Sequence, residues 1–153
     1  MKKFYYPLTA FFIIAADQLS KYFVRMHMQP GDRIPLIGGW MSFLYVQNTG
    51  TAFSMFAGNR FVTVILTSLL IIACAVYAAV LVRKGRVAVP FLLTCIAAGG
   101  ISNMIDRLAL GFVTDMISCG SFAVFNVADM FITCGCILLM ITVITAYKKG
   151  EEL

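Results

Sequence analysis

Phe61 to Val82 is a run of 22 positions without one charged residue. About 20 such residues, coiled as a helix, cover the hydrocarbon core of a bilayer. The run therefore reads as a membrane span, and the rest of the chain must fold around that fact. Composition agrees: 61% of residues are hydrophobic and 12% are charged, against about 45–50% and about 25% in an average soluble protein. With 153 residues the chain is too short for two globular domains, so residues 1–153 are expected to form a single integral membrane domain.

Three further apolar segments flank this run. The first covers about residues 4–24, with Pro7 in its opening turns, where proline is tolerated. Lys2 and Lys3 before it mimic a signal peptide, but Asp17, Gln18 and Lys21 stand where a small-residue cleavage site would be needed. It is expected to remain as the first membrane helix. The second span covers 61–82, the third 87–105 and the fourth 125–147. Between the first two, Pro30-Gly31-Asp32 and Gly38-Gly39 are turn signals. Trp40–Gln47 is aromatic and β-branched enough for a strand, Asn48-Thr49-Gly50 reads as a turn, and Thr51–Phe56 as a second strand. The expected fold is an all-α membrane protein of four transmembrane helices, with a small β element over about 33–58, outside the membrane. That element is expected to anchor in the headgroup region, to hold a substrate, or both. Glu151 and Glu152 fall in a tail expected to be disordered.

Charge sets the orientation. Lys2, Lys3, Arg83, Lys84, Arg86, Lys148 and Lys149, seven of the twelve basic residues, fall on one side of a four-span chain. The positive-inside rule makes that side cytoplasmic, with both termini. The net charge of +5 is then topological and not a nucleic-acid footprint, since no basic soluble face exists. Every aspartate (Asp17, Asp32, Asp106, Asp115 and Asp129) falls on the other side.

Three of these, Asp106, Asp115 and Asp129, lie within Gly99–Asp129, between long uncharged segments. Carboxylates at such edges are costly and need a reason. Two placed close together share one proton and can activate water without a metal or cofactor. Asp115 and Asp129 are the candidate pair. Asn126, Asp129 and Thr133 recur on one helix face, as a polar stripe turned toward protein or water. A buried packing or proton-relay role for Asp129 fits that stripe equally. Asp106-Arg107 reads as an ion pair ending the third helix. Asp17 and Lys21, spaced i, i+4, form either an interfacial anchor or part of the site. His27, the only histidine, has no metal or triad partner and reads as a solvated surface residue. Cys74, Cys95, Cys119, Cys134 and Cys136 read as small packing residues, with no zinc-site spacing.

The chain resembles the lipoprotein signal peptidase family, the signal peptidase II aspartic proteases of bacterial membranes. The resemblance rests on Asp17-Gln18 with Ser20-Lys21, and on Asn48-Thr49-Gly50 with Ala52-Phe53-Ser54. It continues through Gly99-Gly100, Asn103, Asp106-Arg107, Gly111, Val113 and Asp115 to Phe125-Asn126-Val127-Ala128-Asp129. It implies removal of signal peptides from prolipoproteins, cut before a diacylglyceryl-modified cysteine, by Asp115 and Asp129 as catalytic residues. Asp17, Lys21, Asn48, Gly50, Asn103, Asp106, Arg107 and Asn126 match positions that shape the site. It also implies a bacterial cytoplasmic membrane protein, no metal or cofactor, contacts with membrane lipids, and globomycin-type inhibitors. Nothing in the sequence calls for an oligomer, so a monomer is expected. Met116 stands where the family usually has Phe, Thr51 replaces a common Ala, and only 13 residues separate Asp115 from Asp129. That short connection leaves less chain to cover the site.

Two other classes compete. A small proton-coupled transporter would use Asp129 as a relay, but the carboxylates gather at one interface and no repeat is visible. A non-catalytic assembly subunit would need no carboxylate pair.

Overall fold

A computed structural model describes residues 4–38, 40–50 and 60–150. Its elements run α1 (Tyr5–His27), β1 (Arg33–Ile37), β2 (Met41–Asn48), α2 (Arg60–Arg83), α3 (Ala88–Leu110), β3 (Val113–Cys119) and α4 (Val127–Lys149). All four expected helices are present, with shifted ends. The third runs five residues beyond 105, because Ile105 to Leu110 keep the helix going until Gly111. That glycine takes φ +86°, closes the helix and returns its N–H to the Arg107 carbonyl. The fourth starts two residues later than expected, because Asn126 is its cap.

Helix α3 is the axis. It packs against α1, α2 and α4, whereas α2 packs mainly on α3 alone. Accordingly α3 is mostly buried, while α2 and α4 turn most of their apolar residues outward. Leu69, Ile72, Val76, Leu138, Ile141 and Ile144 are all exposed, an outward apolar surface of the kind hydrocarbon solvates well. Three helices (Phe61–Arg83, Ala88–Leu110 and Val127–Lys149) are long and apolar enough to cross a membrane. Helix α1 matches them in length, but Asp17, Gln18, Lys21 and Arg25 make it less apolar.

The approach of α3 to α4 depends on glycine. A Cβ on Gly99 would lie 2.7 Å from both the Ala128 carbonyl oxygen and Ile132 Cγ1. On Gly135 it would lie 2.8 Å from Ile96 Cγ1. Small residues at such points let helices pack backbone to backbone.

The β element differs from expectation. It is a three-stranded antiparallel sheet in the order β1-β2-β3. Its third strand comes from the stretch between α3 and α4, so the element does not lie wholly between the first two helices. β3 is buried on both faces and so lacks the alternation that marks a half-buried strand. The expected strand over Thr51–Phe56 lies outside the described residues, as do Glu151 and Glu152. The predicted Trp40–Gln47 strand is β2, moved by one residue.

The short connection from Asp115 to Asp129 is spent on a return. After β3 the chain turns at Gly120, and Phe125 pairs back on Ile117 in an antiparallel bridge. That return carries Asn126 up beside Asp115. Met116 fills the core with Val24, Met28 and Tyr45. His27 is exposed and stacks on Phe23, with Nδ1 2.8 Å from the Phe23 carbonyl oxygen. All five cysteines are free.

Gly99→Ala should therefore lower stability by about 1–3 kcal/mol, the range for overpacking, because one clashing atom is backbone. Gly100→Ala should cost less: its nearest neighbours are Ile71 and Thr67 side-chain atoms, at 3.2 Å and beyond. Thermal unfolding of the two variants in detergent checks the order.

Candidate functional site

The polar residues of α1 recur every fourth position, at Asp17, Lys21 and Arg25, with Gln18 beside them. That stripe docks on a matching one on α3, formed by Ser102, Asn103 and Asp106. Asp17 and Lys21 are completely buried. Lys21 Nζ lies 2.7 Å from Asp17 Oδ2 and 3.4 Å from Asp106 Oδ2, and donates to Asn103 Oδ1 at 2.8 Å. A buried ammonium is tolerable only with such partners.

Each carboxylate in this layer is fully engaged. Asp17 accepts from the Ser102 hydroxyl at 2.7 Å and from the Ala128 backbone N–H at 2.8 Å. Ala128 is in the first turn of α4, so α1 supplies an acceptor to that helix's orphan N–H groups. Asp106 accepts from Gln18 Nε2 at 3.1 Å and from the Thr114 backbone N–H at 2.9 Å. Arg25 reaches Asp106 at 3.8 Å and donates to Thr114 Oγ1 at 3.0 Å. Among the described residues, every buried side-chain nitrogen and oxygen has a hydrogen-bond partner.

The expected Asp106–Arg107 ion pair is corrected here. Adjacent helical residues point about 100° apart, so the two side chains diverge. Asp106 turns to Lys21 and Arg25, while Arg107 donates to the Gly50 carbonyl oxygen at 3.1 Å.

Asp115 and Asp129 sit on top of this layer. Asp115 projects from β3 and is 2% exposed. Its Oδ1 accepts from Asn126 Nδ2 at 2.7 Å and its Oδ2 from Asn48 Nδ2 at 2.9 Å. Asn48 in turn accepts the Gly50 N–H at 2.9 Å, so Gly50 is held by both Asn48 and Arg107. Asp129 is the third residue of α4. Its backbone N–H donates to Asn126 Oδ1 at 2.9 Å, and its carboxylate takes the Asn126 N–H at 3.4 Å. This reciprocal pair is a capping box. Asn126 thus meets Asp129 as a cap and not as a member of the helical stripe.

Two amides join the carboxylates. Asn126 Nδ2 donates to Asp115 and, at 3.0 Å, to Asn103 Oδ1; Asn103 Nδ2 donates to Asp129 Oδ1 at 2.8 Å. The linkage runs Asp115–Asn126–Asn103–Asp129, with Lys21 beneath Asn103. Asp129 is the more open of the two carboxylates. Burial is the main force on Asp115, followed by the competing pull of Asn48 and the push of the Asp129 charge. Together they raise its carboxyl from the usual 3.8 to about 6. A carboxyl held partly protonated beside a second carboxylate can both give and take a proton near neutral pH.

All ten residues singled out in the sequence lie in or against this cluster. Ser102, Thr114 and Arg25 join it without having been singled out. Arg25 was signalled by the four-residue spacing from Lys21. Ser102 was signalled by its i, i+4 relation to Asp106.

Several known proteins are similar to this chain. The family described as Signal peptidase (SPase) II matches residues 9–145. The lipoprotein signal peptidase of Streptococcus pyogenes serotype M1 is 40% identical over 143 residues, which are 92% of this chain and 93% of that protein. The one from Streptococcus pyogenes serotype M3 (strain SSI-1) is 39% identical over the same shares. A solved bacterial membrane enzyme matches with a TM-score of 0.88 at 27% identity, over 97% of this chain and 92% of its own. Another matches with a TM-score of 0.80 at 28% identity, over 90% and 91%.

The geometry sets both stability and titration. Lys21→Met should cost about 3–5 kcal/mol, as removal of one buried partner does. Arg25→Met should cost less, because Arg25 is partly exposed and more distant; chemical unfolding in detergent compares them. Infrared difference spectroscopy should show the Asp115 carboxyl titrating near pH 6, a band absent from Asp115→Asn. The Asn48 donor favours the ionised form, so Asn48→Ala should move that titration to higher pH. Between pH 3.8 and about 6 the folded state holds this proton and the unfolded chain does not. This group's contribution to stability therefore falls as pH rises through that window.

Proposed function

The chain belongs to the signal peptidase II family, and from that premise we propose that it removes signal peptides from prolipoproteins as an intramembrane aspartic endopeptidase. Asp115 and Asp129 are its catalytic pair. The observation that carries this reading is the amide linkage that holds both carboxylates above one buried layer, one of them with its proton affinity raised.

The pair holds one proton between its members. The ionised carboxylate takes a proton from water as the water oxygen attacks the scissile carbonyl carbon. The protonated carboxyl gives its proton to the carbonyl oxygen. As the tetrahedral intermediate collapses, one of its hydroxyls returns its proton to the ionised carboxylate, the C–N bond breaks, and the departing amine of the cysteine takes a proton from the other carboxyl, so the pair again holds one proton. Asn103, Asn126 and Asn48 are positioning residues: their amides hold both Asp115 oxygens and one Asp129 oxygen, and the other Asp129 oxygen has only the long 3.4 Å bond from the Asn126 N–H. Arg107, through Gly50, holds Asn48 in place. Asp17, Lys21 and Asp106 keep α1, α3 and the start of α4 in register beneath.

The substrate's cysteine carries a diacylglyceryl group. Its acyl chains stay in the bilayer while the adjacent peptide bond reaches the carboxylates. All four helices span, both termini are cytoplasmic, and the site lies near the extracytoplasmic face. Supporting this, the basic residues Arg83, Lys84, Arg86, Lys148 and Lys149 sit at helix ends opposite the aspartates. α1 is admissible as a span because its charges are paired inside protein and do not face lipid.

Cleavage of a lipidated prolipoprotein by the purified protein tests the proposal. Asp115→Asn and Asp129→Asn should each lose about 10²–10⁴-fold in rate while remaining folded in detergent. Asp106→Asn should lose less activity than either. A folded Asp115→Asn or Asp129→Asn protein that cuts at the wild-type rate would sink the assignment.

A further inference from the structure

The turn joining α2 to α3 carries Arg83, Lys84 and Arg86. Among the described residues no acidic side chain pairs with any of them. All five aspartates lie toward the other end of the bundle. This basic turn therefore lacks an anion from the described protein.

A groove starts at that turn. One cavity of about 410 Å³ is lined by Arg83, Val82, Ala79, Ala78, Ala75 and parts of α1 and α3. A second, of about 200 Å³, shares Ala75, Ala78 and Thr94 with it and continues to Cys74 and Ile101. From Arg83 to Cys74 the groove follows α2 for roughly 14 Å, at 1.5 Å per residue. α1 and α2 form its walls and α3 its floor. Apart from Arg83, its lining is nearly all apolar; the Thr94 hydroxyl is turned to its own helix, donating to the Pro90 carbonyl at 2.8 Å. A hydrocarbon chain suits such walls.

We propose that this groove binds one anionic glycerophospholipid, with an acyl chain along Ala75 and Ala78 and its phosphate against Arg83. Basic pockets between membrane helices take anionic head groups by the same physics. The site lies at the end of the bundle remote from Asp115 and Asp129, and it does not depend on their assignment.

Native mass spectrometry of the full chain in detergent, with dioleoyl phosphatidylglycerol or dioleoyl phosphatidylcholine added, tests this. One phosphatidylglycerol should be retained over phosphatidylcholine by about fivefold, the scale of one basic residue at an anionic surface. Arg83→Gln should abolish that preference. Arg86→Gln should keep it, since Arg86 does not line the groove. Ala75→Phe, which fills the groove, should reduce retention with Arg83 intact. Equal retention of the two lipids overturns the proposal. So does equal loss in Arg83→Gln and Arg86→Gln, which would mean diffuse surface attraction. Displacement of lipid by a second protein chain would make another copy the occupant and likewise overturn it. Should Ala75→Phe fail to fold, the Arg83 and Arg86 variants decide alone.

Discussion

Lys21 is the point on which the structure balances. Its ammonium is completely buried in a chain whose surroundings are mostly hydrocarbon-like. Such a group is stable only where several oxygens converge, and Asp17, Asp106 and Asn103 supply them. Those three residues come from α1 and α3, so satisfying one charge fixes the docking of two helices. Asp17 extends the constraint to α4 through the Ala128 N–H. Asp106 extends it to the sheet through the Thr114 N–H. In membranes, apolar burial gives helices little reason to choose one another, and packing and polar contacts decide instead. Here the close α3–α4 contact at Gly99 and the charged layer act together.

The same layer explains how a strand-borne and a helix-borne carboxylate come together. Asp115 takes its position from β3, whose first residues are pinned by Asp106. Asp129 takes its position from a cap at the start of α4. The return of Phe125 onto Ile117 makes the connection short enough for Asn126 to serve both. The brevity that looked like missing cover is, in the fold, a hairpin-like closure.

Much of this was legible in the residues. Long uncharged runs bounded by basic residues marked the helices, because hydrocarbon tolerates little else. Asp17 and Lys21 were readable as partners from their four-residue spacing. The pairing of β3 with β2 was not readable: Val113–Cys119 is buried on both faces, so its pattern carries no alternation. Asp106 and Arg107 were misjudged because neighbours in sequence diverge on a helix. Asn126 was read as a helical-face residue because the helix start was placed two residues early. Such errors concern local geometry, which composition and hydropathy do not encode.

The two amides give the linkage a direction. Asn103 presents its oxygen to Lys21 and its nitrogen to Asp129; Asn126 presents its nitrogen to Asp115 and its oxygen to the Asp129 N–H. Rotating either amide by half a turn would set oxygen against carboxylate and leave a donor facing a donor. The positive charge at the base therefore dictates which way every dipole above it points. The bundle acts as a polariser: one lysine on the first helix determines that both aspartates meet hydrogen-bond donors from the amides between them, although it touches neither.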